Sequence, residues 1–376
     1  MIKREISKQI EKRLFKGKAI ILIGARQVGK TTLINELLKN IPEKKLFING
    51  DEADSFFWAQ KPTTIKLKTL IGDHKIVFID EAQHIPNIGI IMKLIIDNIA
   101  DVQVIATGSS ALEIKNLMNE PLTGRKYEFH LFPISFTEIV NHTDILEETK
   151  TLHQRLIYGS YPEIITHPKD NKKLLNMLAG SYLYKDILAL DAIRKPEILK
   201  NLVRALAYQI GNEVNYQELS QLVKSDAKTV QNYVDLLEKT YVIFRLPAFS
   251  KNLRNEIKRG RKIYFYDNGI RNALLGNLTD IELRTDKGAL WENYLISERK
   301  KLLNYQDRYV QSYFWRTFQQ SEIDYIEKEN EDISAFEFKW NPQAKWKMSK
   351  PFKESYHPKE MKIIHPHNYY EFLGVE

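Results

Sequence analysis

The 376-residue chain contains no cysteine, and it has no long apolar run. The first absence excludes disulfides, Cys-ligated zinc, iron–sulfur clusters and thiol nucleophiles, and it fits a reducing compartment. The apolar stretch from Ile88 to Ile99 is interrupted by Lys93 and Asp97, and nothing approaches the roughly 20 apolar residues that span a bilayer. The amino-terminal segment also lacks the apolar core of a signal peptide. We therefore expect a cytoplasmic protein with no membrane partner.

The chain also lacks internal repeats and low-complexity linkers. Its length exceeds the size at which one hydrophobic core stops growing, so we expect two or three domains. The net charge of +8 and the pI of about 9.1 are moderately basic. Such a balance permits nucleic acid as a partner without requiring it.

Changes of pattern divide the chain into four parts. Residues 1–148 alternate short β-rich runs with helical patterns, which is typical of a parallel α/β sheet. Residues 149–194 are predicted to be helical, and residues 195–262 to form helices, a strand and a basic segment. That segment, 251–262, sets six Lys/Arg against one Glu, and we expect it to be an exposed loop or wing. Residues 263–376 are predicted to form a separate α/β domain rich in aromatic strands.

A phosphate-binding loop follows the first predicted strand. Residues 24–31, GARQVGKT, fit G-x-x-x-x-G-K-[ST] at every fixed position and lead into an amphipathic helix. In this motif backbone N–H groups surround the phosphates of ATP, Lys30 reaches the β- and γ-phosphates, and Thr31 offers a hydroxyl to Mg²⁺. The alternative is a chance match in a turn. The residues expected to bind the nucleotide are Gly24, Ala25, Gln27, Val28, Gly29, Lys30, Thr31 and Thr32.

Polar side chains also follow two later strands. The strand at 76–79 runs into Asp80 and Glu81, at the sheet edge where ligands of open α/β folds bind. We expect Asp80 to hold Mg²⁺ together with Thr31, and Glu81 to activate the attacking water. An ordinary solvated acidic pair is the alternative. Ser109, in the motif TGSS at 107–110, is in a position similar to that where AAA-type ATPases carry a group that senses the γ-phosphate. A common Gly-Ser turn after a strand is the alternative.

Residues 215–246 have the order of a winged helix, with two short helices, a tight turn and then a strand. On this interpretation, Lys228, Gln231 and Asn232 face the major groove of DNA, while the basic loop contacts phosphates through Lys251, Arg254, Lys258 and Arg259. The alternative is that the module packs against the rest of the chain or a partner protein, with the basic loop solvated.

A third set of residues predicts a nuclease centre. Residues two apart on a strand share a face, so Glu337 and Lys339 point together. Asp324 and Glu337 would bind Mg²⁺, Lys339 would orient water, and Glu292 would reach in from a helix as a further metal ligand. The alternative is that E-x-K occurs here by chance in a charged strand.

Several of these motifs together resemble a prokaryotic AAA-type P-loop ATPase family. The segments are GARQVGKTT at 24–32, IVFIDEAQ at 76–83, TGSS at 107–110, LTGR at 122–125, FPISFTEI at 132–139 and GSYPEI at 159–164. The resemblance implies an AAA domain with a helical lid and a C-terminal restriction-endonuclease-like α/β domain of unknown function. It also implies that Arg125 occupies an arginine-finger-like position, which would act on a neighbouring subunit of a homo-oligomer; a structural surface arginine is the alternative.

Two functions remain open. In the first, ATP binding and hydrolysis control a DNA-directed C-terminal domain, with Mg²⁺-dependent nuclease activity as an option. In the second, the chain is a nucleotide-dependent switch or scaffold that binds a protein and does not cut DNA.

Overall fold

A computed structural model describes residues 1–52, 59–108, 121–181, 195–250, 260–317, 321–344 and 349–375. The chain divides into two compact units, Met1–Pro133 and Ile134–Glu376. Ser109, Lys251, Arg254, Lys258 and Arg259, for which roles were predicted, lie outside the described residues.

The first unit is a five-stranded parallel sheet with helices. Its strands have the spatial order β2-β3-β4-β1-β5. They are β1 (Ala19–Gly24), β2 (Lys45–Asn49), β3 (Ile76–Asp80), β4 (Gln103–Gly108) and β5 (Lys126–Leu131). Its described helices are α1 (Ser7–Glu11), α2 (Lys30–Lys39), α3 (Thr64–Ile71) and α4 (Ile88–Asn98). The parallel α/β sheet predicted from the sequence is confirmed.

Burial explains why the sequence forms this sheet. Every residue of β1, β3 and β4 is buried, as expected for central parallel strands covered on both faces. The edge strand β2 alternates instead, and Phe47 is 52% exposed. Because all strands are parallel, the segments that follow their carboxyl ends meet at one edge of the sheet.

The second unit begins with a group of helices. They are α5 (Phe136–His142), α6 (Ile145–Lys150), α7 (Leu152–Tyr158), α8 (Pro162–Thr166), α9 (Asn171–Ser181) and α10 (Pro196–Tyr208). Helix α5 starts with a capping box, in which Ser135 accepts from the backbone of Glu138 and the Glu138 carboxylate accepts from Ser135 N. This arrangement satisfies two backbone donors at the start of the helix.

A three-stranded antiparallel sheet follows, with the order β6-β8-β7. Its parts are β6 (Glu213–Val214), α11 (Tyr216–Leu222), α12 (Ala227–Lys239), β7 (Ile243–Pro247) and β8 (Arg261–Phe265). The boundary proposed between residues 262 and 263 therefore falls inside a strand. The exposed loop or wing predicted for 251–262 is wrong for its last residue, because Lys262 lies in β8 and is 2% exposed.

The last part of the unit is a four-stranded sheet of order β12-β11-β10-β9. Its elements are α13 (Asn268–Leu275), α14 (Lys287–Tyr305), β9 (Gln311–Arg316), β10 (Glu322–Glu329), β11 (Asp332–Phe338), α15 (Lys350–Tyr356), β12 (Glu360–Ile364) and α16 (Tyr369–Phe372). The register between β9 and β10 shifts between Ile323 and Ile326. This irregularity allows both isoleucines to enter the same core cluster.

Gly159 lies where the helices meet the start of α13. It has a φ of +74°, and a Cβ there would lie 2.0 Å from the carboxylate of Asp267. That carboxylate accepts from the backbone N–H of Ser160 at 2.7 Å and caps α13 through Ile270 N at 3.0 Å. Only glycine permits this close approach, which explains the glycine of the GSYPEI segment. None of the helices in the described ranges is long and apolar enough to cross a membrane.

Candidate functional site

The phosphate-binding loop connects β1 to α2. A Cβ at Gly24 would lie 2.1 Å from the carbonyl oxygen of Leu131, so the close approach of β5 requires glycine at this position. Gln27 and Gly29 have positive φ values of 60° and 94°, and Gly29 immediately precedes α2. A loop of this shape presents backbone N–H groups at the positive end of a helix, which favours an anion.

The functional side chains of the loop have defined partners. Lys30 is 5% exposed, and its ammonium group donates to the carbonyls of Gly24 at 3.1 Å and Ala25 at 2.9 Å. Ala25 and Val28 are buried, whereas Gln27 and Thr32 are exposed. The loop thus combines an apolar anchor with an exposed polar surface.

Asp80 is brought against this loop by the parallel order of the strands. It ends β3 and is 9% exposed. Its Oδ2 accepts from the hydroxyl of Thr31 at 2.7 Å, and its Oδ1 accepts from the hydroxyl of Thr107 on β4. A carboxylate beside a hydroxyl at the start of a helix is a donor set suited to Mg²⁺. The residues therefore fit a magnesium nucleotide.

Glu81 follows Asp80 with a strained backbone. Its φ is 47°, and its carboxylate accepts from the Gln83 amide at 2.6 Å. A Cβ at Gly50 would lie 2.2 Å from the Glu81 carbonyl oxygen, so the end of β2 also constrains this residue. Left-handed backbone at a non-glycine residue persists only where its surroundings impose it, which is common at functional sites.

Arg4 was missed by the sequence analysis. Its side chain is 7% exposed and donates to the carbonyls of Val28 at 2.8 Å and Phe132 at 2.6 Å. It thereby joins the phosphate-binding loop to the end of β5. Because the contacts span 24 and 128 positions of sequence, no local pattern indicated them.

Arg125 does not lie with these residues. It immediately precedes β5, and its carbonyl accepts from Ala19 N at the start of β1. The loop lies at the other end of the same strands, roughly 17–20 Å away at about 3.3 Å per residue. The Arg125 guanidinium donates to Asp97 at 2.7 Å and the side chain is 39% exposed.

The second unit brings together all four residues of the predicted nuclease centre. Asp324 Oδ2 accepts from Phe338 N at 2.8 Å, and the Lys339 ammonium donates to Glu337 at 2.6 Å. The negative charge of Glu292 raises the pKa values of Asp324 and Glu337. We call Glu292, Glu322, Asp324 and Glu337 the carboxylate cluster.

A lysine that the sequence analysis did not assign to this centre lies inside the cluster. Lys262 donates to Glu292 at 3.1 Å and forms an ion pair with Glu322 at 2.6 Å. Tyr264, also on β8, donates to the same Glu292 oxygen at 2.6 Å. Among the described residues, no group of three or more His, Asp and Glu side chains is arranged to hold a metal ion.

Burial and like charges set the protonation of the cluster. Burial raises the pKa of Asp324 well above its ordinary value, and the charges of Glu292 and Glu337 raise it further. Burial also raises the pKa of Glu337, although Lys339 opposes the change. Burial by itself lowers the pKa of Lys262, but Glu292, Glu322 and Asp324 outweigh it and the net shift is upward.

One known protein family matches the part of the chain that contains the phosphate-binding loop. Residues 16–140 match the family described as AAA domain. The amino-terminal part is an AAA-type ATPase domain. Residues 149–280 and 287–372 match two families described as Domain of unknown function, DUF8612 and DUF4143.

For three proteins, the similarity to this chain covers more than the AAA domain. An uncharacterised protein of Mycobacterium tuberculosis is 25% identical over 332 residues, covering 86% of this chain and 71% of the relative. An uncharacterised protein of Haemophilus influenzae is 22% identical over 295 residues, covering 73% of this chain and 71% of the relative. A signal transduction ATPase with numerous domains, PH0952 of Pyrococcus horikoshii, has a TM-score of 0.29 and 13% identity, covering 81% of this chain and 45% of its own. This chain thus spans less than half of that ATPase.

Replacing Arg4 by Ala tests whether it positions the loop of the AAA-type domain. The change leaves two buried carbonyls without this donor, at a cost of about 1–3 kcal/mol each. We expect the KM for ATP to rise roughly tenfold with a smaller change in kcat, as measured by phosphate release. Lys8→Ala, an exposed cation of α1, is the control. An unchanged KM in a folded Arg4→Ala protein contradicts the positioning role.

Proposed function

We propose that the chain hydrolyses ATP with Mg²⁺ and uses its nucleotide state to control a DNA-binding middle region. The observation that carries the first half is the 2.7 Å contact between Thr31 at the start of α2 and Asp80 at the end of β3. Thr31 and Asp80 would hold Mg²⁺, which neutralises charge on the phosphates. Lys30 would bind the β- and γ-phosphates, and Glu81 would orient and deprotonate the attacking water.

Two substitutions separate binding from hydrolysis. Lys30→Ala removes the phosphate-binding cation, so we expect nucleotide binding and turnover to be lost. Glu81→Gln keeps the size of the side chain but removes the base, so we expect binding to persist while kcat falls roughly 10²-fold or more. Nucleotide binding and phosphate release are measured on the same samples. Lys39→Ala, exposed on the same helix, should match the wild type, and normal turnover by Lys30→Ala would refute the assignment.

Arg125 is proposed to act on a neighbouring subunit. Its position at the opposite end of the strands from the phosphate-binding loop keeps it from the nucleotide of its own subunit. An exposed arginine held by Asp97 is instead available to a second copy of the chain. An arginine supplied in this way stabilises the charge that develops on the transferred phosphoryl group.

Mixing two inactive variants tests this arrangement. Lys30→Ala keeps Arg125 but has lost its own nucleotide site, whereas Arg125→Ala keeps the nucleotide site but lacks the finger. We expect each variant alone to be inactive or slow, and their mixture to recover a measurable fraction of wild-type phosphate release. Arg13→Ala, another exposed arginine of the same unit, serves as the control in place of Arg125→Ala. Failure of the mixture to recover activity, with oligomers formed, argues that Arg125 is structural.

The proposed DNA-binding region rests on the order and exposure of α11 and α12. Helix α10, β6, the two helices, β7 and β8 follow one another as in a winged helix. Asn215 caps α11 by accepting from Gln217 N at 2.9 Å, and Asp226 caps α12 by accepting from Thr229 N at 2.8 Å.

The outward face of α12 supports this assignment. Val230, Val234 and Leu237 are buried, while Lys228, Gln231 and Asn232 are all exposed. Amide side chains bind adenine edges and lysine binds guanine or phosphate, so this face suits a major groove. The basic residues at 251–259 would add phosphate contacts.

DNA binding is tested by a salt titration of the affinity for a duplex. Lys228→Ala should weaken binding and reduce the dependence on salt by about one phosphate contact, because each contact releases counterions. The double variant Gln231→Ala with Asn232→Ala should lose affinity with little change in the salt slope. Lys172→Ala removes an exposed charge from α9 and should behave as wild type. Binding that is absent at low salt would favour a protein-binding switch.

For the C-terminal sheet we favour a module that does not cut DNA. The restriction-endonuclease-like resemblance is supported by the convergence of Glu292, Asp324, Glu337 and Lys339. The ion pairs of Lys262 nevertheless take up carboxylate oxygens that a catalytic metal would need. Incubation of the same duplex with Mg²⁺ or Mn²⁺ tests the alternative, and cleavage that disappears in Asp324→Ala would establish a nuclease.

We propose that the protein is located in the cytoplasm, because its sequence contains no cysteine.

A further inference from the structure

The carboxylate cluster contains a cation that belongs to the chain itself. Lys262 is 2% exposed, and its ammonium group lies between Glu292 and Glu322 at 3.1 and 2.6 Å. It also lies 5.4 Å from the centre of the Phe314 ring, where the face of an aromatic ring attracts a cation. Two carboxylates and one ring therefore surround a single buried ammonium group.

The backbone holds this lysine in place. Lys262 lies on the central strand of its three-stranded sheet and pairs with Glu213 of β6 and Leu246 of β7. Phe265, on the same strand, exchanges hydrogen bonds of 2.7 and 3.0 Å with Asn293 of α14. Glu292 is the neighbouring residue on that helix. The donor Lys262 and the acceptor Glu292 therefore lie on β8 and α14, two elements that are joined by hydrogen bonds.

A metal and this ammonium group compete for the same oxygens. Mg²⁺ binds carboxylate oxygens at 2.0–2.1 Å with near-octahedral geometry. Glu292 Oε1 already accepts from both Lys262 and Tyr264. Glu322 is bound by Lys262, and Glu337 is bound by Lys339.

One carboxylate oxygen of the cluster receives no hydrogen bond from either lysine. Glu337 is 8% exposed, and its Oε2 is buried with no hydrogen-bond partner in the described part of the chain. A buried anionic oxygen in this condition is costly, and the upward shift in the pKa of Glu337 is consistent with a proton there.

We propose that Lys262 is the resident cation of the carboxylate cluster and excludes a divalent metal from it. The cluster is then a buried charge network that joins β8, α14 and β10. Removing the ammonium group leaves the oxygens of Glu292 and Glu322, which it now occupies, open to a divalent metal. This inference deepens the proposal that the C-terminal sheet does not cut DNA. Its test measures metal binding and not DNA cleavage. The proposal on Lys262 and the proposal that the sheet does not cut DNA can therefore fail separately.

The first experiment compares the thermal unfolding of nucleotide-free, full-length protein with and without Mn²⁺. Lys262→Met keeps much of the aliphatic side chain but leaves the carboxylates uncompensated, so its Tm should fall in metal-free buffer. At Mn²⁺ about 100-fold above its dissociation constant, the Tm of this variant should rise by about 5–10 °C. The wild type should stay within about 2 °C, because Lys262 keeps the carboxylate cluster closed to the metal.

Lys301→Met is the matched control. Lys301 is also buried and paired with a carboxylate, Glu298 at 2.6 Å, but this pair lies outside the cluster. We expect the variant to be destabilised without any rise in Tm on adding Mn²⁺. A folded Lys262→Met protein that Mn²⁺ fails to stabilise overturns the proposal.

A second measurement needs no Lys262 variant. Electron paramagnetic resonance of free Mn²⁺ gives the number of ions bound to the wild type and to Asp324→Asn. The proposal predicts equal numbers, because Asp324 holds no metal while Lys262 is present. An ion that binds the wild type and is lost in Asp324→Asn overturns it, even if Lys262→Met does not fold.

Discussion

Helix α14 carries the buried polar groups on which the second unit depends. Glu298 accepts from Phe136 N at 2.8 Å, and Lys301 donates to Glu298 at 2.6 Å and to Ser160 at 3.3 Å. Arg299, the residue that follows Glu298, forms a bidentate pair with Glu327 at 2.7 and 2.8 Å. A buried charge costs several kcal/mol unless such partners are present. The helix therefore fixes the start of the unit, the helical group and the four-stranded sheet to one another.

The same constraint explains why the two candidate sites differ. At the phosphate-binding loop, Asp80 is held by two threonine hydroxyls. Hydroxyls can turn toward a metal or water while they keep the carboxylate oriented. In the carboxylate cluster, Glu292 and Glu322 are instead held by an ammonium ion on a central strand. The first arrangement accommodates an exchangeable ligand, whereas the second neutralises its acids within the chain.

The ATPase domain and the carboxylate cluster are therefore suited to different functions. The first has a loop, a helix amino terminus and an acidic strand end at one sheet edge, which suits the binding and release of a nucleotide during turnover. In the second, Glu292 and Glu322 are bound to β8, the strand that also belongs to the sheet beside α11 and α12. A fixed charge network at this place suits the holding of the region for which we propose DNA binding in one orientation.

Local sequence was sufficient for the parallel sheet, the phosphate-binding loop and the positions of Asp80 and Glu81. These features depend on strand burial, on a short motif and on the rule that parallel strands end at one edge. The sequence also indicated that Glu337 and Lys339 share a face, because that follows from the two-residue period of a strand. The irregularity in β10 and the extent of β8 were not indicated, since both depend on pairing between distant segments.

What the sequence determined by itself was therefore the chemistry available: a phosphate site, an acidic set with lysine, and a polar helix face. Only the tertiary structure decided which charges meet. Arg4 reaches a loop 24 residues away and a strand end 128 residues away. Lys262 meets Glu292 at a separation of 30 residues, and Arg125 is separated from the nucleotide site by the length of a strand. Such partners are set by packing across the fold, because the free energy of a buried charge depends on its neighbours in space and not in sequence.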